Sequence, residues 1–171
     1  AGYKADQIIE YIKGSKFASF VTVSVEKEPL GTAGAVKHAQ KHISSQNFLV
    51  LNGDSLTGVN FSELLFHNEL HKAVGTIAVV AVDGRSDVGK IEMKDNSLIK
   101  SFNEKDGQGD YMSTGVYAFN KRIFDMIPDG ESSLENEIFP QLVKSESLCG
   151  FLVEGKVVDI GTEERYVDFS K

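Results

Sequence analysis

The chain has 171 residues, 41% hydrophobic and 25% charged, the mix of a globular protein with enough length for one sizeable core. Its net charge of −7 argues against a general nucleic-acid or membrane-surface binder, because a phosphate backbone demands a basic face. The single cysteine, Cys149, excludes an intrachain disulfide and fits a reducing, cytoplasmic compartment, and no apolar run reaches the ~18 residues of a membrane span.

In chain order, Ala5 to Ile12 sets Ile8, Ile9 and Ile12 on one helical face. Phe20 to Val25 reads as a strand and Gly31 to His42 as a short helix. Phe48 to Asn52 reads as a buried strand that leaves through Gly53 and Asp54. Asn60 and Glu63 have the spacing of a capping box and open a helix carrying Leu64, Leu65 and Leu70. Thr76 to Val82, rich in Val and Ala, suits a strand buried on both faces. Val88 to Met93 and Leu98 to Phe102 read as short strands around Asp95-Asn96. Tyr111 to Phe119 is another strand, and Gly115 inside it signals a bulge or a close backbone approach. Ser132, with Glu135 three residues on, caps a helix running to Pro140 or beyond. Phe151 to Val153 and Lys156 to Ile160 read as a hairpin about Glu154-Gly155. Thr162 caps a terminal helix, with Glu163 and Glu164 against its positive end. Alternating strands and helices followed by strand-rich sequence imply an α/β sandwich with a mixed sheet. Ligands of such sheets sit beyond the carboxyl ends of the strands, where Asp54 lies.

Asp54 has a counterpart in "VVDIGT", residues 157 to 162, where an apolar strand again ends on a carboxylate, Asp159, with Gly161 at a turn. Two strand-end carboxylates could converge on one hard cation, Mg²⁺, which takes oxygen ligands and keeps waters for substrate phosphates. Either residue alone is as well explained by closing a turn or capping a helix. In "EKEPLGTAGAV", residues 26 to 36, Gly31 and Gly34 bracket Thr32 at a helix entry whose free N–H groups could meet an anion or a base edge, or could simply form a turn. In "SFNEKDG", residues 101 to 107, Glu104 suits sugar hydroxyls and Lys105 a phosphate, although composition alone favours a solvated turn. The pairs His38/His42 and His67/His71 lack an evident third ligand and give no zinc motif.

Together and in this order, "EPLGTAGAV", "FLVLNGDS", "VGKI", "SFNEK", "STGVYAF", "SLENEIFPQL" and "VVDIGTEERY" resemble the sugar-phosphate nucleotidyltransferases. Within them the likeness is greatest to the heptose 1-phosphate and mannose 1-phosphate guanylyltransferases. The resemblance implies a Rossmann-like α/β/α sandwich with a mixed, mostly parallel sheet. It implies transfer of a nucleotide from a nucleoside triphosphate, GTP by the subfamily likeness, to a sugar 1-phosphate with release of pyrophosphate. On that likeness Asp54 and Asp159 hold Mg²⁺, and Glu28, Gly31, Thr32 and Gly53 bind the nucleotide. Gly89, Glu104, Lys105 and Gly115 bind the sugar phosphate, with Lys105 on the phosphate itself. Ser113 stands where many members carry Asn, and Asp106 where many carry Pro.

Tyr3-Lys4-Ala5-Asp6 resembles the segment after the family's second strand. The likeness therefore implies one nucleotidyltransferase domain over residues 1–171 that is incomplete at its N-terminus, without the GGxGTRL-type loop and PKP segment. Losing that phosphate grip, at ~3–4 kcal/mol per donor, is expected to leave this chain nearly inactive. Strands supplied by a swapped or second copy make a homo-oligomer one expectation. Two rival readings remain at this level. One is a non-catalytic nucleotide-sugar-binding regulator of the same fold. The other is a receiver-type signalling domain, which the strand-rich second half disfavours.

Overall fold

The computed structural model describes residues 1–82, 89–103 and 109–170. Its centre is β3 (Gly75–Ala81), whose first six residues are buried. Successive side chains of a strand point to opposite faces. Ile77 and Val79 therefore enter one apolar cluster, and Ala78 and Val80 enter another on the far side of the sheet. Phe48, Tyr117, Phe119 and Phe139 fill the first cluster beneath α2 (Gly31–His38) and α4 (Phe139–Lys144). Leu64 of α3 (Phe61–Leu70) closes the second with no exposed surface. Full burial of such a leucine is worth about 1.5–3 kcal/mol, which fixes α3 across the sheet. Helices on both faces of a mixed sheet are the α/β sandwich that the sequence implies.

The balance of pairings differs from expectation. β6 (Tyr111–Asn120) runs antiparallel to β3 on one edge. On its other edge it pairs antiparallel with β1 (Asn47–Leu51) and with β4 (Lys90–Met93). β5 (Ile99–Asn103) extends the sheet beyond β4, again antiparallel. Among the described residues, β3 with β7 (Leu148–Leu152) is the one parallel pair. A mostly parallel sheet is therefore corrected to a mostly antiparallel one. The physical reason is the insertion of β6. β1 and β3 run in the same direction, as a strand–helix–strand unit through α3 demands, but β6 lies between them.

Three other readings change. Phe20 to Val25 forms no strand and pairs with none of the described strands: Phe20 and Val21 N–H donate back to Phe17 O, Ser24 O accepts from the Ala1 ammonium, and Val25 O meets a ring nitrogen of His38. α1 (Ala5–Gly14) forms as expected, but Ala5 is its one buried residue and Ile8 is 43% exposed. The hairpin about Glu154-Gly155 is absent. Val153 still follows β3, its N–H donating to Val79 O at 2.8 Å, whereas β8 (Val158–Asp159) departs to pair with β2 (Ser55–Leu56). No helix among the described residues is long and apolar enough to cross a membrane.

The entry to α3 confirms the capping signal in a modified form. Asn60 Oδ1 accepts from the N–H groups of Ser62 and Glu63, at 3.1 and 3.3 Å, while Asn60 Nδ2 donates to Glu63 Oε1 at 2.7 Å. Asn60→Ala should cost about 1 kcal/mol in urea unfolding, and Asn60→Asp, which keeps the acceptor, should cost much less. Equal losses in the two variants would show that the cap does not hold this helix.

Candidate active site

Two residues of β2 pair with two of β8, Ser55 with Asp159 and Leu56 with Val158. The ladder continues one step through Ile160 N–H, which donates to Asp54 O at 2.8 Å. This short ribbon brings together carboxylates that are far apart in the chain. A β-carbon built on Gly161 would lie 3.0 Å from Asp54 Oδ2 and 3.0 Å from Asp159 Oδ1. Both carboxylates thus crowd against Gly161, where any larger side chain would push them apart. Asp159 Oδ1 also accepts from Gly161 N–H at 2.7 Å, and its Oδ2 forms a short ion pair with Arg165 Nη1. Arg165 comes from α5 (Glu163–Phe169), whose N-cap Thr162 accepts from Arg165 N–H at 3.3 Å. Asp54 Oδ1 accepts from the Ser55 hydroxyl at 3.2 Å.

Neighbouring like charges repel one another, and a cation beside them relieves that repulsion. Arg165 supplies one such charge from the side of Asp159. The two carboxylates brought together beside Gly161 suit a small hard cation, since both donors are carboxylate oxygens. No cluster of three or more acidic, histidine or cysteine ligands exists among the described residues. Two protein carboxylates suit Mg²⁺, which completes its shell with waters and substrate oxygens.

Gly115 is brought to the same place by a bulge. The β3–β6 register shifts between Ile77 and Val79, and Thr114 Oγ1 donates to the Ala78 carbonyl at 2.9 Å across the irregularity. Gly115 has φ +74°, and its added β-carbon would approach Asn52 Nδ2 to 2.9 Å. Glycine is required there by both the backbone angle and the contact. Asn52 N–H donates to Gly115 O at 2.8 Å, so the bulge grips the strand end just before Gly53 and Asp54. Gly53 itself is exposed, and a side chain there would meet nothing within 4 Å.

The glycine-bracketed turn enters α2 as expected, but its donors are shared differently. Ser132 O accepts from Ala33 N–H at 3.0 Å and from Gly34 N–H at 3.3 Å. Among the described residues this leaves the N–H groups of Gly31 and Thr32 at the first turn without a partner. Gly31 has φ +69°, and a β-carbon there would collide with the Ser132 carbonyl. Thr32 and Asn52 line one apolar groove of about 420 Å³ between α2 and β1, so the turn and the carboxylate strand end share one surface. Glu28 is exposed in the segment before α2. Gly89 leads into β4, which lies on the same edge of β6 as β1. Glu104 and Lys105 lie outside the described residues.

Sequence reasoning missed two side chains in this region, Glu135 and Tyr117. The reading of Ser132 and Glu135 as a capping pair shifts by one residue. Ser133 is the N-cap, accepting from Asn136 N–H at 3.1 Å, and Glu137 Oε1 accepts from Ser133 N–H at 2.9 Å. The segment Leu134–Ile138 is a π-helical turn, so the reciprocal acid stands four residues on rather than three. Glu135 is freed to accept from the Thr32 hydroxyl at 2.7 Å and from the Ser133 hydroxyl at 3.1 Å. Burial raises the Tyr117 phenol to about 12; a hydrogen bond with Ser113 opposes this, and the Glu135 and Asp54 carboxylates add to it. The phenol therefore stays protonated and able to donate. The rings of His67 and His71 lie 4.3 Å apart, tilted by 33°, and burial, then the charge of His71, hold His67 below its ordinary range.

A sequence profile of the family "Nucleotidyl transferase" matches residues 3–171. The chain is 35% identical over 173 residues to the mannose-1-phosphate guanyltransferase of Kluyveromyces lactis, a match covering 96% of this chain and 48% of that protein. It is 34% identical over 173 residues to the mannose-1-phosphate guanyltransferase of Saccharomyces cerevisiae, with the same coverage of each. The chain thus spans about half the length of the curated relatives it matches. Its fold is similar to that of HddC from Yersinia pseudotuberculosis, crystallised in complex with GMP-PN. The TM-score is 0.80 at 30% identity, over 98% of this chain and 73% of that one.

Proposed function

The chain belongs to the nucleotidyl transferase family, and from that premise we propose that it carries the metal and nucleotide side of a sugar-1-phosphate guanylyltransferase. The reaction joins GTP to a sugar 1-phosphate, mannose or heptose in type. A sugar phosphate oxygen bonds to the α-phosphorus, the bond from that phosphorus to the bridging oxygen breaks, and pyrophosphate leaves. The observation that carries the proposal is the meeting of Asp54 and Asp159 at Gly161, each with a carboxylate oxygen 3.0 Å from where a β-carbon there would lie. The relatives named above support the choice of guanine nucleotide and of sugar phosphate.

Asp54 and Asp159 hold Mg²⁺ in this reading, and the bound ion offsets the charge of the phosphate oxygens. The N–H groups of Gly31 and Thr32 meet the nucleotide, with Glu28 beside the base and Gly53 beside the ribose. The open surface at Gly53 allows the backbone to be approached closely. Gly115 shapes the sugar side through its contact with Asn52. Glu104 and Lys105 are assigned to the sugar hydroxyls and the phosphate, respectively. Catalysis of this kind rests on positioning and charge and needs no covalent enzyme intermediate.

The test is a panel of nucleoside triphosphates against sugar 1-phosphates, run on the full-length protein with Mg²⁺ and followed by pyrophosphate release. GTP with mannose or heptose 1-phosphate should turn over fastest, and chelation of the metal should abolish release. Absence of turnover with every pair would overturn the proposal in favour of a nucleotide-sugar-binding regulator.

A further inference from the structure

Glu135 connects two parts of the site that are remote in sequence. Its Oε2 accepts from the Thr32 hydroxyl at 2.7 Å, and Thr32 Oγ1 in turn accepts from Leu134 N–H at 2.8 Å. Ser133 Oγ donates to the same Oε2 at 3.1 Å. The backbone beside this carboxylate also grips the turn, since Ser132 O takes the N–H groups of Ala33 and Gly34. Tyr117, buried in β6, lies within reach of the Glu135 and Asp54 carboxylates. The π-helical turn is what allows this arrangement. With Glu137 on the N-cap N–H, Glu135 spans from the N-cap hydroxyl of Ser133 to Thr32 of α2. Such turns are less favourable than α-helix and often occur at functional sites.

We propose that Glu135 is a positioning residue that clamps the nucleotide-binding turn, holding Thr32 so that the free N–H groups of Gly31 and Thr32 face the nucleotide. The inference rests on the reading of Gly31 and Thr32 as nucleotide contacts. Glu135 touches neither substrate nor metal in this account. It acts through the Thr32 hydroxyl.

A double-mutant cycle tests the clamp on the full-length protein. Glu135→Leu and Thr32→Val should each raise the KM for GTP about tenfold, with little change in the KM for sugar 1-phosphate. The double variant should lose about as much as Thr32→Val alone, because Thr32→Val already breaks the contact with Glu135 along with that to Leu134 N–H. Glu135→Gln, which keeps one acceptor oxygen, should recover part of the loss. Glu137→Ala, which removes the acceptor for Ser133 N–H, should lower stability through its helix cap and leave the nucleotide KM alone. Additive losses in the cycle, or the same KM shift from Glu137→Ala, would overturn the clamp.

Amide hydrogen exchange gives a second arm that does not depend on turnover. Glu135→Leu should speed exchange at Leu134, whose N–H rests on the Thr32 hydroxyl, while β3 amides keep their protection. Unchanged exchange at Leu134 would refute the clamp even in an inert protein. Loss of turnover in the wild type with every substrate pair would count against the proposed function instead.

Discussion

Asp54→Asn and Asp159→Asn should each cut nucleotidyl transfer by about a thousandfold while leaving the fold intact. The amide keeps the shape of each side chain and removes its charge. Asn at 159 can still accept from Gly161 N–H, so the turn into α5 survives. The ion pair with Arg165 is lost, but both partners are partly exposed, and such pairs contribute little to stability. Removing one of two facing carboxylates also relieves their repulsion. Urea unfolding should therefore shift by less than about 1 kcal/mol in either variant. Pyrophosphate release under saturating substrates measures the loss. A drop below about tenfold in either variant would show that its carboxylate does not take part in charge stabilisation at the reacting phosphates.

Gly31→Ala should destabilise the protein by about 2–4 kcal/mol and weaken nucleotide binding with it. Two separate costs meet at this position. The backbone sits at φ +69°, where a β-carbon is unfavourable by about 1–2 kcal/mol. The same β-carbon would also be driven into the Ser132 carbonyl, which already holds two N–H groups of α2. Relief requires α2 to move off the segment before α4, and that movement opens the contact between Thr32 and Glu135. Gly53→Ala is the informative comparison. Its β-carbon would meet nothing within 4 Å, so its stability should change by less than about 0.5 kcal/mol. Any loss of nucleotide affinity at Gly53 then reports approach of the ligand itself. Equilibrium urea unfolding and nucleotide titration of the two variants separate these effects. A Gly31→Ala protein as stable as wild type would contradict the close packing of the turn.

What the sequence reveals of this fold follows from the range over which each signal acts. Asn60, Thr162 and the buried run of β3 were legible because capping and two-faced burial are written in adjacent residues. Pairing partners were not. The insertion of β6 between β1 and β3 depends on contacts such as Leu49 with Ala118 and Thr76 with Ala118, which no local pattern records. The same limit explains the lost hairpin: Lys156 to Ile160 follows the Glu154-Gly155 turn as a second hairpin strand would, yet its partner is β2, about a hundred residues earlier in the chain. At the site, the juxtaposition of Asp54 and Asp159 was suggested by two strand ends that each carry an Asp and a nearby glycine, and implied by the family resemblance. Glu135 could not. Its sequence context, Ser132 through Glu137, offers two serine–glutamate pairings, and the choice between them is made by the π-helical turn and by Thr32, a hundred residues away.

The shared grip of two carboxylates on one cation is measured most directly with Mn²⁺ in place of Mg²⁺, using paramagnetic broadening of backbone amide signals. Sub-stoichiometric Mn²⁺ with GTP should broaden the amides of Gly53 and Gly161 together, before signals of β4 or α3. Asp54→Asn or Asp159→Asn should abolish both effects at once. Broadening confined to one of the two glycines, or persisting at both after either substitution, would contradict a single metal held between Asp54 and Asp159.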